Sequence, residues 1–136
     1  MNYEEMLALQ KKYRNKPHEL EHRMQVACVK WFRLTFPHLR YALFAVPNGG
    51  RRDATTGAKL KAEGVVAGVS DLILLRPSGK WHALCIEMKA PHGRQSDEQK
   101  NFQNYCEHAG YKYVVCRSSE EFAKCIDEYF YLGNND

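Results

Sequence analysis

A chain of 136 residues has the length of one domain, and no shift in composition divides it. Its formal net charge of +4 is a mild excess of cations and not the signature of a strongly basic binder. No apolar run approaches the roughly 20 residues of a membrane span, and the N-terminus lacks the apolar core of a signal peptide. We therefore expect a cytoplasmic protein without a membrane partner. The five cysteines include no CxxC pair, which favours buried thiols over a disulfide or zinc framework.

The first third of the chain is predicted to be helical. Residues 1–17 form a short amphipathic helix, interpreted as an N-terminal arm that packs at a dimer interface or is a loosely held terminus. Residues 18–136 form the main domain. A longer helix is predicted from His18 to Phe36, because its apolar residues recur at three- and four-residue spacing: Leu20, Met24, Ala27, Cys28, Trp31 and Phe32.

A hairpin occupies the middle of the predicted domain. The apolar segment 41–46 indicates a strand, and 56–63 indicates a short helix. Residues 71–75 then read as a strand covered on both faces, 76–80 as a turn, and 81–89 as the return strand.

The last third continues as helix, strand and helix. Ser96 is placed to cap a helix that runs to about Ala109, and 111–116 predicts another strand. Ser118 and Glu121 have capping-box spacing ahead of a final helix. The predicted order is α–β–(α)–β–β–α–β–α, an α/β fold with a mixed β-sheet flanked by helices.

The hairpin brings charged residues together at its open end. Asp71 is expected to face a residue at or next to Glu87, and strand alternation places Glu87 and Lys89 on one side. The surrounding apolar strands make unpaired charge costly, so this convergence requires an explanation. Lys89 neutralises one acid in a structural ion cluster, or the two carboxylates hold a hard divalent cation. The spacing alone favours neither interpretation.

A Mg²⁺ ion at this position would suit phosphodiester hydrolysis, with Lys89 serving the attacking water or the developing charge. Gln99 begins the following helix near the same end of the sheet, although Ser96-x-x-Gln99 is also capping-box spacing. Glu21 shares a helix face with Gln25, a pair that would also be ordinary on a surface.

Several segments, taken in order, resemble the VRR-NUC (virus-type replication-repair nuclease) domain of the PD-(D/E)xK nuclease superfamily, in its compact stand-alone phage form. They cover about residues 19–116. The matching segments are Glu21 with Gln25, Val46-Pro47-Asn48-Gly49-Gly50-x-Arg52, Lys61-x-x-Gly64-Val65-x-Ala67-Gly68-Val69-Ser70-Asp71, Ile86-Glu87-x-Lys89, and Ser96-x-x-Gln99. Ser70 departs from the proline that the family often has there, a position where proline only adds stiffness.

The resemblance implies a restriction-endonuclease-like core that binds Mg²⁺ or Mn²⁺ and cleaves DNA. It implies that Asp71, Glu87 and the backbone carbonyl of Met88 ligate the metal and that Lys89 serves the water. Glu21 would hold a metal-bound water or a second ion, and Gln99 would orient groups in the centre. Residues near the DNA backbone would be those of the glycine-rich turn and its flanking cations, namely Asn48, Arg51, Arg52, Lys59 and Lys61.

The resemblance also implies a structure-selective endonuclease that acts as a homodimer in a bacterial or phage-infected cytoplasm, with four-way junctions among its substrates. Two alternatives remain at this point. One is a restriction-type or strand-degrading nuclease with the same core. The other is a non-catalytic DNA-binding or interaction module whose acid cluster is structural.

Overall fold

The structure is a computed structural model that describes residues 1–47 and 54–135. Its elements follow the predicted order, with a short 3₁₀ helix at Pro37–Leu39 in addition. The helices are α1 (Tyr3–Lys12), α2 (Pro17–Thr35), α3 (Ala54–Ala62), α4 (Asp97–His108) and α5 (Ser119–Asn135), and the strands are β1 (Leu43–Ala45), β2 (Leu72–Leu74), β3 (Leu84–Met88) and β4 (Lys112–Cys116). The predicted α/β class with a mixed sheet between helices is confirmed.

The four strands form one sheet in the order β1-β2-β3-β4. The pairs β1–β2 and β2–β3 are antiparallel, whereas β3 and β4 are parallel and are joined through α4. All five residues of β3 are buried, as expected for a central strand covered on both faces. The site-bearing strand is therefore among the best-packed elements of the fold.

The helices divide between the two faces of the sheet. On one face, α2 and α5 bury the larger core against β2 and β3, with side chains that include Met24, Phe32, Phe122 and Ile126. On the other face, α4 covers a smaller cluster around Cys85, Cys106 and Tyr113. Helix α1 contributes Met6 to the larger core, and Asn2 caps it by accepting a hydrogen bond from the Glu5 amide at 2.8 Å. The arm boundary at residue 17 and the arm's place in a dimer stay predictions.

The sequence predicts a hairpin turn centred near Ser78 and Gly79, and the observed turn lies one residue later. Ser78 and Trp81 exchange both backbone hydrogen bonds at 3.0 Å, so Gly79 and Lys80 form the turn, with Gly79 at a positive φ of 57°. Further from the turn, Leu74 pairs with Leu84. Three residues, 75–77, thus oppose two, 82–83, in the manner of a β-bulge. The register places Leu72 opposite Ile86, and hence Asp71 beside Glu87.

None of the helices in 1–47 and 54–135 is long and apolar enough to cross a membrane.

Gly68 fixes the distance between the segment before β2 and the start of α4. Its φ of 87° lies in the region that favours glycine, and an added Cβ would lie 2.4 Å from the backbone carbon and oxygen of Glu98. The same Cβ would meet the Gln99 amide nitrogen at 2.8 Å. Only glycine allows α4 to begin this close to Asp71.

We expect Gly68→Ala to lower the free energy of unfolding by roughly 2 kcal/mol or more, because it combines an unfavourable φ with a clash against backbone. Urea unfolding monitored by circular dichroism measures the change. The matched control is Gly57→Ala in α3, where the added Cβ has no neighbour within 4 Å and a helical alanine is favoured by up to about 1 kcal/mol. Equal midpoints for Gly68→Ala and wild type would contradict this account of the packing.

Candidate active site

Two carboxyl groups converge where β2 begins and β3 ends. Asp71 immediately precedes β2, and its Oδ2 accepts a hydrogen bond of 2.7 Å from the backbone amide of Met88. Glu87 is only 2% exposed and interacts directly with Asp71. The hairpin argument predicted that Asp71, Glu87 and Lys89 converge at one end of the sheet, and the structure brings Asp71 and Glu87 together there.

Both oxygens of the Glu87 carboxyl group are held by hydrogen bonds. Gln99 Nε2 donates to Oε1 at 3.0 Å, and the Tyr113 hydroxyl donates to Oε2 at 3.3 Å. Burial is the largest cause of a raised pKa for the Tyr113 hydroxyl, followed by the charge of Glu87, so this donor keeps its proton. The Glu87 side chain is thus fixed in orientation from α4 and from β4.

The electrostatic environment opposes ionisation of Glu87. Burial raises its pKa to about 9, helped by the hydrogen bond with Asp71 and by that residue's charge. The charge of Lys89 and the Tyr113 hydroxyl act in the opposite direction and are outweighed. A cation placed between the carboxyl groups would reverse this balance, because it favours their charged forms.

Lys89 follows the last residue of β3 and is half-buried. Its backbone amide donates to the Cys116 carbonyl at 3.0 Å, which extends the pairing with β4. Among the residues that the structure describes, no direct ion pair joins Lys89 to Asp71 or Glu87. The structural ion cluster considered from the sequence is therefore not formed by these side chains.

Gln99 caps α4, as its spacing predicted, and also contacts Glu87. Its Oε1 accepts from the Ser96 amide at 2.8 Å while its own amide donates to Ser96 Oγ at 3.2 Å, which completes a capping box. Its Nε2 remains available and donates to Glu87. One side chain thus starts α4 and contacts the candidate site.

Glu21 reaches the same end of the sheet from α2. Its Oε1 accepts from the Ala90 amide at 3.2 Å, one residue after Lys89, and its Oε2 lies 3.6 Å from His18 Nδ1. Glu21, Gln25 and Asp71 line a cleft of about 1210 Å³ between α2 and the end of β1. The cleft leads from solvent to the carboxyl groups of Glu21 and Asp71.

Arg117, which sequence reasoning missed, organises the loop after Lys89. Its Nη1 donates to the carbonyls of Ala90 at 2.8 Å and Gly93 at 2.7 Å. An arginine directly after a strand has the pattern of a surface residue, so nothing in its spacing signalled this contact. Tyr113 was missed for a similar reason, because an aromatic residue in a strand is ordinarily a packing residue.

The predicted DNA-binding residues are not joined to this centre by a described contact. Lys59 and Lys61 are exposed on α3. Asn48, Arg51 and Arg52 lie outside the described residues.

Within the described ranges, no group of three or more His, Cys, Asp or Glu side chains is arranged to hold a metal ion. The side chains at this end of the sheet supply the two carboxyl groups of Asp71 and Glu87, with Glu21 on the Ala90 amide. Any further ligands would therefore be backbone oxygens, water or substrate.

Comparison with known proteins identifies this arrangement. Residues 8–120 match the family model of the VRR-NUC domain. The chain belongs to the VRR-NUC family. A solved structure of a "VRR_NUC domain protein" is 26% identical, superimposes with a TM-score of 0.73, and covers 83% of this chain and 89% of that chain. No curated protein gave a significant match.

VRR-NUC is a nuclease-type domain family, which makes DNA the expected substrate class of this chain. The match spans all four strands, so the predicted family is confirmed on the elements that carry Asp71, Glu87 and Lys89. The narrower prediction of a stand-alone phage form stays a prediction.

We expect Glu87→Gln to be more stable than the wild-type VRR-NUC chain at pH 8 in chelator, by about 0.5–2 kcal/mol, because Glu87 keeps its proton in the folded state but ionises on unfolding, whereas the amide does not titrate. The folded-state pKa of Glu87, about 9, lies above its ordinary value of 4.5. As the pH rises between these values, the free energy of unfolding of the wild type therefore falls. That of the variant does not fall for this reason. Thermal unfolding at pH 5 and pH 8 in EDTA measures the difference. Glu128→Gln, a change at an exposed residue of α5, is the control. If the difference in stability between Glu87→Gln and the wild type did not grow from pH 5 to pH 8, the raised pKa of Glu87 would be contradicted.

Proposed function

We propose that this protein is a Mg²⁺- or Mn²⁺-dependent DNA endonuclease, selective for branched DNA including four-way junctions, which acts as a homodimer. The observation that carries the proposal is the pairing of Asp71 and Glu87 at one end of the sheet, without a direct cationic partner among the described side chains. Membership of a nuclease-type family supports the same conclusion.

The donor atoms fit a hard divalent cation. Carboxylate and carbonyl oxygens are the ligands that Mg²⁺ prefers, and a buried acid pair is otherwise costly. Asp71, Glu87 and the backbone carbonyl of Met88 would hold the ion. When bound, such an ion would polarise the phosphoryl oxygen and lower the pKa of its bound water.

The neighbouring side chains have distinct roles in this proposal. Lys89, half-buried at the end of β3, orients the attacking water and stabilises charge that develops on the phosphate. Gln99 and the Met88 amide fix the two carboxylates, so their geometry is set before substrate arrives. Glu21 faces the cleft and is placed to hold a water or a second ion.

Substrate selection in this proposal rests on contacts with the DNA backbone, which carry no direct sequence information. Contacts with the backbone of a branched substrate, including those of Lys59, Lys61 and the cations outside the described residues, suit recognition of DNA shape. Two active sites related by a two-fold axis suit paired cuts in a symmetric junction.

We expect Mg²⁺ or Mn²⁺ to raise the melting temperature of the wild type and to leave Asp71→Asn unchanged, because that substitution removes a carboxylate ligand. An ion at 100 times its dissociation constant stabilises the folded state by about 2.7 kcal/mol. Differential scanning fluorimetry in EDTA and in increasing metal measures the shift. Asp127→Asn, an exposed change on α5, should respond as the wild type does. Equal shifts in all three proteins would remove Asp71 from the metal site.

We expect Lys89→Ala to cleave at least about 100-fold more slowly than the wild type while retaining its fold and most of its DNA affinity. The assay uses single-stranded, duplex, flap and four-way-junction DNA with Mg²⁺, Mn²⁺ or EDTA. Symmetric paired nicks in the junction are expected of the wild type. Lys124→Ala, an exposed lysine of α5, controls for loss of one cation.

The outcomes of this assay separate the alternatives. Binding without cleavage by the wild type would favour the non-catalytic module. Preferential digestion of linear duplex or single strands would favour a restriction-type or strand-degrading nuclease over a structure-selective one.

A further inference from the structure

A chain of hydrogen bonds connects Glu87 to the outer surface of α4. The Tyr113 hydroxyl contacts Glu87 Oε2 at 3.3 Å, and Gln95 Nε2 lies 3.3 Å from that hydroxyl. Gln95 Nε2 also donates to Gln103 Oε1 at 3.0 Å, and Gln103 Nε2 donates to Glu107 Oε1 at 2.7 Å. This series of hydrogen bonds therefore runs from the exposed Glu107 to Glu87, the most buried acid of the site.

Glu107, at the outer end of this series of hydrogen bonds, determines which group donates and which accepts in each bond. An ionised Glu107 only accepts, so the Gln103 amide must turn its nitrogen outward and its oxygen toward Gln95. Gln95 must then present its nitrogen to both Gln103 and Tyr113. Since the Tyr113 oxygen already accepts from Gln95, its single proton points to Glu87.

We infer that Tyr113 is a positioning residue, whose hydroxyl, oriented through Gln95, Gln103 and Glu107, fixes the Glu87 carboxylate for the metal ion. The inference rests on the proposed function, because it assigns to Glu87 the role of a ligand. Gln99 holds Oε1 and Tyr113 holds Oε2, so the carboxylate cannot rotate about its last bond without losing both contacts. Hydrogen bonds of this kind, behind a ligand, set the affinity of metal sites.

The ring and the hydroxyl of Tyr113 act on different neighbours, which permits a clean test. The ring is 8% exposed and packs edge-on against Phe102 at 6.3 Å between centroids. Tyr113→Phe keeps this ring and removes the hydroxyl, which donates to Glu87 and accepts from Gln95. Tyr111→Phe is the matched control, because it removes a hydroxyl from the other tyrosine of the same cluster, which packs on His82.

We expect Tyr113→Phe to bind Mn²⁺ about 10-fold more weakly than the wild type, and Tyr111→Phe to bind it unchanged. Isothermal titration calorimetry with MnCl₂ measures the affinity without reference to cleavage. Gln95→Leu, which leaves Tyr113 in place but removes its orienting donor, should show a smaller loss of affinity in the same direction.

A double-mutant cycle in EDTA makes the outcomes distinguishable. The effects of Tyr113→Phe and Glu87→Gln on the melting temperature should be non-additive, because the two side chains share a bond whether or not metal is present. If the wild type binds Mn²⁺ and Tyr113→Phe binds it equally well, the positioning role is overturned and the proposed function stands. If the wild type binds no metal, both the positioning role of Tyr113 and the proposed metal-dependent function are overturned. Non-additivity in the cycle then shows only that the hydrogen bond between Tyr113 and Glu87 is structural.

Discussion

The burial of Glu87 directly beside Asp71 is the constraint on which the rest of this end of the molecule depends. A carboxyl group that is 2% exposed, next to a second acid and without a direct cationic partner among the described residues, opposes its own ionisation. Burial itself cannot be relaxed, because β3 is the central strand and all five of its residues are covered. The protein instead satisfies each Glu87 oxygen with a donor, from Gln99 and from Tyr113. The orientation of the Glu87 carboxyl group is thus fixed, while its burial beside Asp71 remains unfavourable for the charged form.

Close contacts with the backbone hold the parts of the site in position. The close approach of Gly68 fixes the start of α4 against the segment that leads to Asp71. The Met88 amide ties Asp71 to β3 across the hairpin. Arg117 holds the loop after Lys89 by two of its carbonyls, while Glu21 binds the Ala90 amide from the opposite side. These contacts restrain the backbone directly after Lys89, and the position of this residue at the end of β3 is therefore defined.

Local sequence patterns were sufficient to predict the hairpin that brings Asp71 beside Glu87. They were insufficient to predict the contacts that residues of β4 and the residue after it make with the site. The turn residues at 76–80 placed Asp71 beside Glu87 although the turn centre was one residue off, because the extra residue in 75–77 restored the register. Capping-box spacing identified Gln99 correctly, since both of its partners are local in sequence. The contact from Tyr113 depends on parallel pairing of β3 with β4 through a crossover, which no local spacing encodes. Arg117 was missed because its partners are carbonyls 24 to 27 residues away.

The two side chains that donate hydrogen bonds to Glu87 differ in one respect. Gln99 also stabilises a helix through the same amide group, whereas the Tyr113 hydroxyl that reaches Glu87 is separate from the ring that packs. Gln99 uses its oxygen to begin α4 and its nitrogen to hold the carboxylate, so any change there disturbs the helix and the site together. Tyr113 separates the two tasks, because its ring packs on Phe102 and only its hydroxyl reaches Glu87. The orientation of Glu87 is thus set partly by a helix cap and partly by a single hydroxyl in a packed cluster. A substitution of Gln99 therefore affects the start of α4 and the orientation of Glu87 together, whereas loss of the Tyr113 hydroxyl affects the orientation of Glu87 and leaves the ring in place.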